Sequence, residues 1–133
     1  MRGEPVVWII SAHQWPRAYL RAELLERGLD AVGYADLQSA LAAWSTSPEH
    51  APRVIVLDLR ALVSSPEQVD VLIEIGAPLL ALECATEPAS ASLASLRPDA
   101  ALRRPFTIGA AADQVETMIR RARRDSPESG PAV

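Results

Sequence analysis

The apolar positions of the chain fall into five short runs, separated by longer stretches in which they recur at helical spacing. Residues 6–10 (Val-Val-Trp-Ile-Ile), 54–57 (Val-Ile-Val-Leu) and 78–82 (Pro-Leu-Leu-Ala-Leu) leave no polar face. That is the pattern of strands covered on both sides of a parallel sheet. Residues 30–34 and 100–103 predict two weaker strands. Between the strands, residues 16–27 place Leu20, Leu24 and Leu25 on one helical face, with Pro16 in the first turn and Gly28 as the stop. Asp36 is placed to cap a helix with a stripe of Leu37, Ala40, Leu41 and Trp44, which dies in Ser45-Thr46-Ser47-Pro48. A third helix starts near Ser65-Pro66-Glu67, buries Val69, Leu72 and Ile73 and stops at Gly76. Residues 87–96 form the weakest helix, with only Leu93 and Leu96 as large anchors. A last helix over 109–124 presents Ala112, Val115, Met118, Ile119 and Ala122 to the core.

Five strands alternating with five helices predict an α/β domain with a doubly wound parallel sheet and right-handed crossovers. The flavodoxin-like strand order 2-1-3-4-5 is the natural one for this length. Residues 1–124 form the domain, and residues 125–133, with two prolines, one glycine and no large anchor before the last residue, are expected to be a disordered tail.

Composition narrows the function. A chain of 133 residues buries one core, and no apolar run approaches the roughly 20 residues that span a bilayer. Residues 1–5 lead straight into a strand and lack the apolar segment of a signal peptide. The single cysteine, Cys84, excludes an internal disulfide, so a cytoplasmic setting is expected. A net charge of −4 gives no general pull towards nucleic acid or an anionic membrane. All 13 basic residues are arginine.

Asp58 is the candidate chemical position: it ends the most buried strand, where open α/β sheets keep their crevice. The first strand ends in Ser11-Ala12 and supplies no second acid. Cys84 has no arginine six positions on, where Ser90 stands, so it reads as a small buried residue and not a phosphate-loop nucleophile. His13 and His50 lack partners at metal-ligand spacing. Trp8 and Trp44 fall on core faces, whereas Trp15 falls in a loop beside the crevice and is a candidate contact residue. The run Arg120, Arg121, Arg123, Arg124 suits a helix C-terminus and lacks the interleaved aromatics of a nucleic-acid site.

Three features together give a resemblance to the receiver domain of two-component response regulators over about residues 5–124. Pro52-Arg53-Val54-Ile55-Val56-Leu57-Asp58-Leu59 resembles the strand that ends in the phosphoacceptor aspartate. Arg104-Pro105-Phe106 is similar to the Lys-Pro-Phe after the fifth strand. The spacing from the first strand through Arg17 to Gly28 matches the first helix. The resemblance gives Asp58 the phosphoacceptor position, and it also exposes departures. The paired acids that hold Mg²⁺ are Ser11 and Ala12; the hydroxyl residue ending the fourth strand is Glu83; the lysine is Arg104; the aromatic switch is Ala101.

The resemblance therefore implies a degenerate receiver: a pseudo-receiver, not an enzyme, with no cofactor and no metal. Its expected work is phosphorylation-independent binding of a signalling protein, with no role for a membrane and nucleic acid disfavoured. The expected contact face is residues 87–122, which would also serve a homodimer. The alternative is an unconventional receiver phosphorylated on Asp58 by a histidine kinase. An Asp58–Arg104–Glu83 cluster, with a fixed guanidinium replacing the metal, is the expected arrangement of the crevice.

Overall fold

In the computed structural model, described over residues 6–60, 62–84 and 91–125, the inner strands divide their residues between two helical layers. The elements run β1 (Val6–Ile10), α1 (Gln14–Glu26), β2 (Asp30–Tyr34), α2 (Leu37–Thr46), β3 (Val54–Asp58), α3 (Pro66–Ile75), β4 (Leu79–Glu83), α4 (Ala91–Ala94), β5 (Ala100–Arg103) and α5 (Ile108–Asp125). All neighbouring strands are parallel, in the order β2-β1-β3-β4-β5. Val7 and Ile9, Val54 and Val56, and Leu80 and Leu82 pack with Leu20, Leu24, Val115 and Met118 of α1 and α5. Their strand neighbours Trp8, Ile10, Ile55, Leu57 and Leu79 pack on the opposite side with Leu37, Val69, Leu72 and Leu93. A side-chain period of two turns one apolar run into two cores.

Two stripe positions were read too broadly. Leu25 and Ile73 were expected in the core but are 42% and 60% exposed. Each directly follows a buried leucine, Leu24 or Leu72, and one step along a helix turns a side chain about 100° off the packed face. Trp8 is buried and meets Tyr34 edge-on at 5.5 Å, while Trp44 is partly buried against the second core. Burial raises the Tyr34 pKa above its ordinary value. The expected helix over 87–96 is represented by α4; residues 87–90 lie outside the described residues, as do residues 126–133 of the tail, while Asp125 ends α5.

Local signals fix the helix ends. The Asp36 side chain accepts the Ser39 N–H at 2.8 Å, and that bond lowers its pKa. The cap therefore contributes above the ordinary carboxylate range and is lost as pH falls through the native value. At α3, Ser65 accepts the Gln68 N–H at 3.2 Å and Gln68 accepts the Ser65 N–H at 3.0 Å, a reciprocal capping box. Gly76 ends that helix at φ 75°, where a side chain would be strained. At the C-terminus of α1, Arg27 reaches Glu23 at 2.9 Å, Asp113 at 2.7 Å and Glu116 at 3.4 Å, joining α1 to α5. Its proton affinity is raised, first by Asp113 and then by Glu23.

Ser65→Ala removes one half of the capping box. It is expected to lower stability by about 0.5–2 kcal/mol, read as a shift of the denaturant midpoint at unchanged slope.

Candidate functional site

The strand register decides what meets Asp58. β1 lies beside β3 with Ile10 opposite Leu57, so the next residues along, Ser11 and Asp58, leave the sheet side by side. By alternation they face the layer of α1 and α5. Both are fully buried, and the Ser11 Oγ donates to Asp58 Oδ2 at 2.7 Å. The same hydroxyl lies 3.0 Å from the His13 carbonyl, but an ionised carboxylate is the stronger acceptor. The Ser11 oxygen in turn accepts the His13 N–H at 3.0 Å.

Two guanidiniums complete the surroundings of Asp58. Arg104 Nη2 donates to Oδ2 at 3.1 Å, and Arg60 Nη2 lies 3.7 Å from that same oxygen. The Arg60 backbone N–H donates to Oδ1 at 3.1 Å, folding the chain back so that its side chain faces the carboxylate. Both oxygens of a carboxylate with no exposed surface are thus engaged, and its charge is balanced by cations belonging to the chain itself. A buried charge without such partners would be strongly destabilising.

Arg104 is held by its neighbours. Its guanidinium carbon lies 5.0 Å from the Phe106 ring centre and 5.7 Å from that of Trp15, and the two rings are 5.8 Å apart. The contact distances are those of cation–π attraction. The Arg104–Pro105 peptide bond is cis. A third arginine, Arg17, donates to the Ser11 carbonyl at 2.7 Å. Its side chain crosses β2 at Gly33, where an added Cβ would lie 2.7 Å from Arg17 Cγ.

The expected cluster is corrected in one member. Glu83 does not join Arg104 but faces Arg103 at 3.8 Å. The register pairs Glu83 directly with Arg103, and direct cross-strand partners share a face. Arg60 takes the third place in the cluster, the one expected for Glu83, with the opposite charge. Ala12 and Ala101 are exposed, Trp15 is 41% exposed, and Cys84 is half-buried just past β4, less enclosed than its sequence context suggested. His13 occupies the N-cap position of α1, and its Nε2 is buried without a hydrogen-bond partner among the described residues. His50 is exposed beside Glu49. No three His, Cys, Asp or Glu side chains converge on a metal-sized space among the described residues. The sequence pattern left Arg60, Arg27 and the contact made by Arg17 unassigned. An arginine two positions beyond a strand-end aspartate was the available signal for Arg60.

No family model matches the sequence, and no curated protein matches it. Solved structures do. The receiver domain of the Francisella response regulator 1452 superposes with a TM-score of 0.69 at 21% identity, covering 90% of this chain and 99% of that one. The N-terminal domain of a response regulator/sensory box/GGDEF three-domain protein from Carboxydothermus hydrogenoformans gives 0.71 at 15% identity, covering 90% and 98%. This is the receiver-domain fold. A further receiver-fold neighbour, the chemotaxis protein CheY4 of Vibrio cholerae, gives 0.68 at 18% identity, covering 87% and 99%. The strand order and five-helix arrangement expected from the sequence are those of this fold.

Arg104→Ala leaves Asp58 with Ser11 and the more distant Arg60, and is expected to cost about 1–3 kcal/mol. In a double-mutant cycle with Asp58→Asn, chemical denaturation should report a favourable coupling between the two positions; a zero coupling would refute the pairing. Gly33→Ala is expected to displace Arg17 from the Ser11 carbonyl and lower stability, an effect that should largely disappear when Arg17 is already alanine.

Proposed function

We propose that the chain is a receiver-type signalling module that works by protein–protein interaction without phosphorylation of Asp58. The observation that carries this reading is the occupied state of the aspartate: both oxygens are bonded within the chain, and its counter-charges are Arg104 and Arg60.

Mg²⁺ does not fit this crevice. The ion favours several hard oxygen ligands, usually including carboxylates. Here the strand-end donors around Asp58, among the described residues, are its own carboxylate, a serine hydroxyl and main-chain carbonyls, with two guanidiniums beside that carboxylate. Phosphoryl transfer depends on neutralising the charge of the transferred group. Fixed guanidiniums can supply part of that neutralisation, but a phosphoryl group joined to Asp58 would need the carboxylate oxygens that Ser11 and the Arg60 N–H already hold. The readout positions point the same way. Glu83 presents a carboxylate in place of a hydroxyl, and exposed Ala101 has no ring to change position.

The favoured contact face is 87–122, of which α4, β5 and the outer side of α5 are described. Ala101 and Arg103 are exposed there, as are Arg120 and Arg121. The module is then close to one-state, with recognition in its surface chemistry and not in a shifted equilibrium.

Calorimetric titration is expected to show no sub-millimolar Mg²⁺ binding; such binding, lost in Asp58→Ala, would overturn the metal-free reading. The protein captured by the wild-type chain should bind Asp58→Asn within a few-fold and lose affinity for Ala101→Arg and Arg103→Glu. Beryllium fluoride with Mg²⁺ should leave that affinity unchanged. A shift of more than about 10-fold, equivalent to about 1.4 kcal/mol, that vanishes in Asp58→Asn would establish the phosphorylated receiver instead.

A further inference from the structure

Among the described residues, the crevice carries more positive charge than Asp58 can balance. Two guanidiniums share one carboxylate, and a third, Arg17, is bonded to an uncharged carbonyl at the same strand end. Glu83 adds nothing to the balance because it faces Arg103. The first turn of α1 opens at this point with no acidic residue and no side-chain cap, so its free N–H groups add partial positive charge. Hydrogen bonding is also incomplete: Arg60 Nε, Arg104 Nε and His13 Nε2 are buried without partners among the described residues. Arg60 approaches Asp58 at 3.7 Å, an ion-pair distance too long for a hydrogen bond. The two guanidinium side chains retain 21% and 15% exposure, whereas Asp58 retains none. A solute arriving at the crevice therefore meets cations, and the carboxylate lies behind them.

We propose that this crevice binds a small tetrahedral oxyanion non-covalently between Arg60 and Arg104, without a metal ion. The ligand is either a free dianion or the phosphoryl end of a small metabolite. Guanidinium forks match such oxygens in geometry and charge. Arg104 keeps its aromatic bracket, and Trp15, 5.7 Å from its guanidinium, reports occupancy. The polarity distinguishes this site from one built to hold a divalent cation: here Asp58 competes with the ligand for the arginines, so neutralising it strengthens binding.

The test is a titration of the full chain with sodium sulfate, which cannot donate a phosphoryl group, followed by tryptophan fluorescence in a chelating buffer. Sodium chloride at matched ionic strength is the reference, and Trp15→Phe identifies the reporting ring. The expected result is a saturable change. Asp58→Asn should tighten it at least 3-fold, and Arg60→Gln should weaken it at least 5-fold. A parallel titration with glycerol phosphate assigns the source: tighter binding than sulfate points to a phosphomonoester, equal binding to a free dianion. No saturable response beyond chloride to either anion overturns the proposal, as does weaker binding in Asp58→Asn or an unchanged response in Arg60→Gln. Thermal unfolding of each variant confirms that it is folded at the titration temperature. None of these readouts involves Mg²⁺ or a phosphodonor, so failure here is distinct from failure of the phosphorylation-independent reading.

Discussion

The structure turns on how a fully buried carboxylate is accommodated at the end of a central strand. Asp58 is flanked by β1 and β4 and covered by side chains, and isolating a charge there would be prohibitive. The chain meets the requirement with groups from three directions: a hydroxyl from the end of β1, a guanidinium from beyond β5, and a backbone N–H and second guanidinium from its own loop. Each partner is in turn fixed. Ser11 is bonded to the start of α1, and Arg104 is bracketed by Trp15 and Phe106. The apolar sheet beneath supplies the low-dielectric setting in which these contacts are strong.

On the proposed reading, this arrangement is a fixed site in place of an adjustable one. A metal ion can leave, and a phosphoryl group can be added and removed, but Arg60 and Arg104 are always present at the crevice. The solved neighbours share the fold at 15–21% identity, which leaves wide latitude in what stands at the strand ends. Function on such a scaffold is decided by those few positions and not by the sheet.

Much of the fold was legible because the patterns were local and repeated. The β-branched run at residues 54–57, the Gly76 stop and the Asp36 cap each state their structure within a few residues. Leu25 and Ile73 were misread because periodicity marks a stripe without marking its edge, which tertiary packing sets. The site was only half legible. Asp58, Ser11 and Arg104 follow from strand ends and a resemblance, whereas Glu83 fails through cross-strand register, which no single segment encodes. Arg60 depended on a loop folding back, and Arg27 on two helices whose acids lie 86 and 89 residues away in the chain.

Arg27 has a mechanical meaning as well. By bridging the end of α1 to Asp113 and Glu116, it ties together the two helices of one layer. Trp15, at the far end of α1, overhangs the crevice, while α5 presents its other flank to the proposed contact face. A protein gripping α5 would tug on the same rigid piece that carries the crevice's aromatic rim. Surface and crevice then stand in one fixed arrangement, with the sheet as a stationary floor.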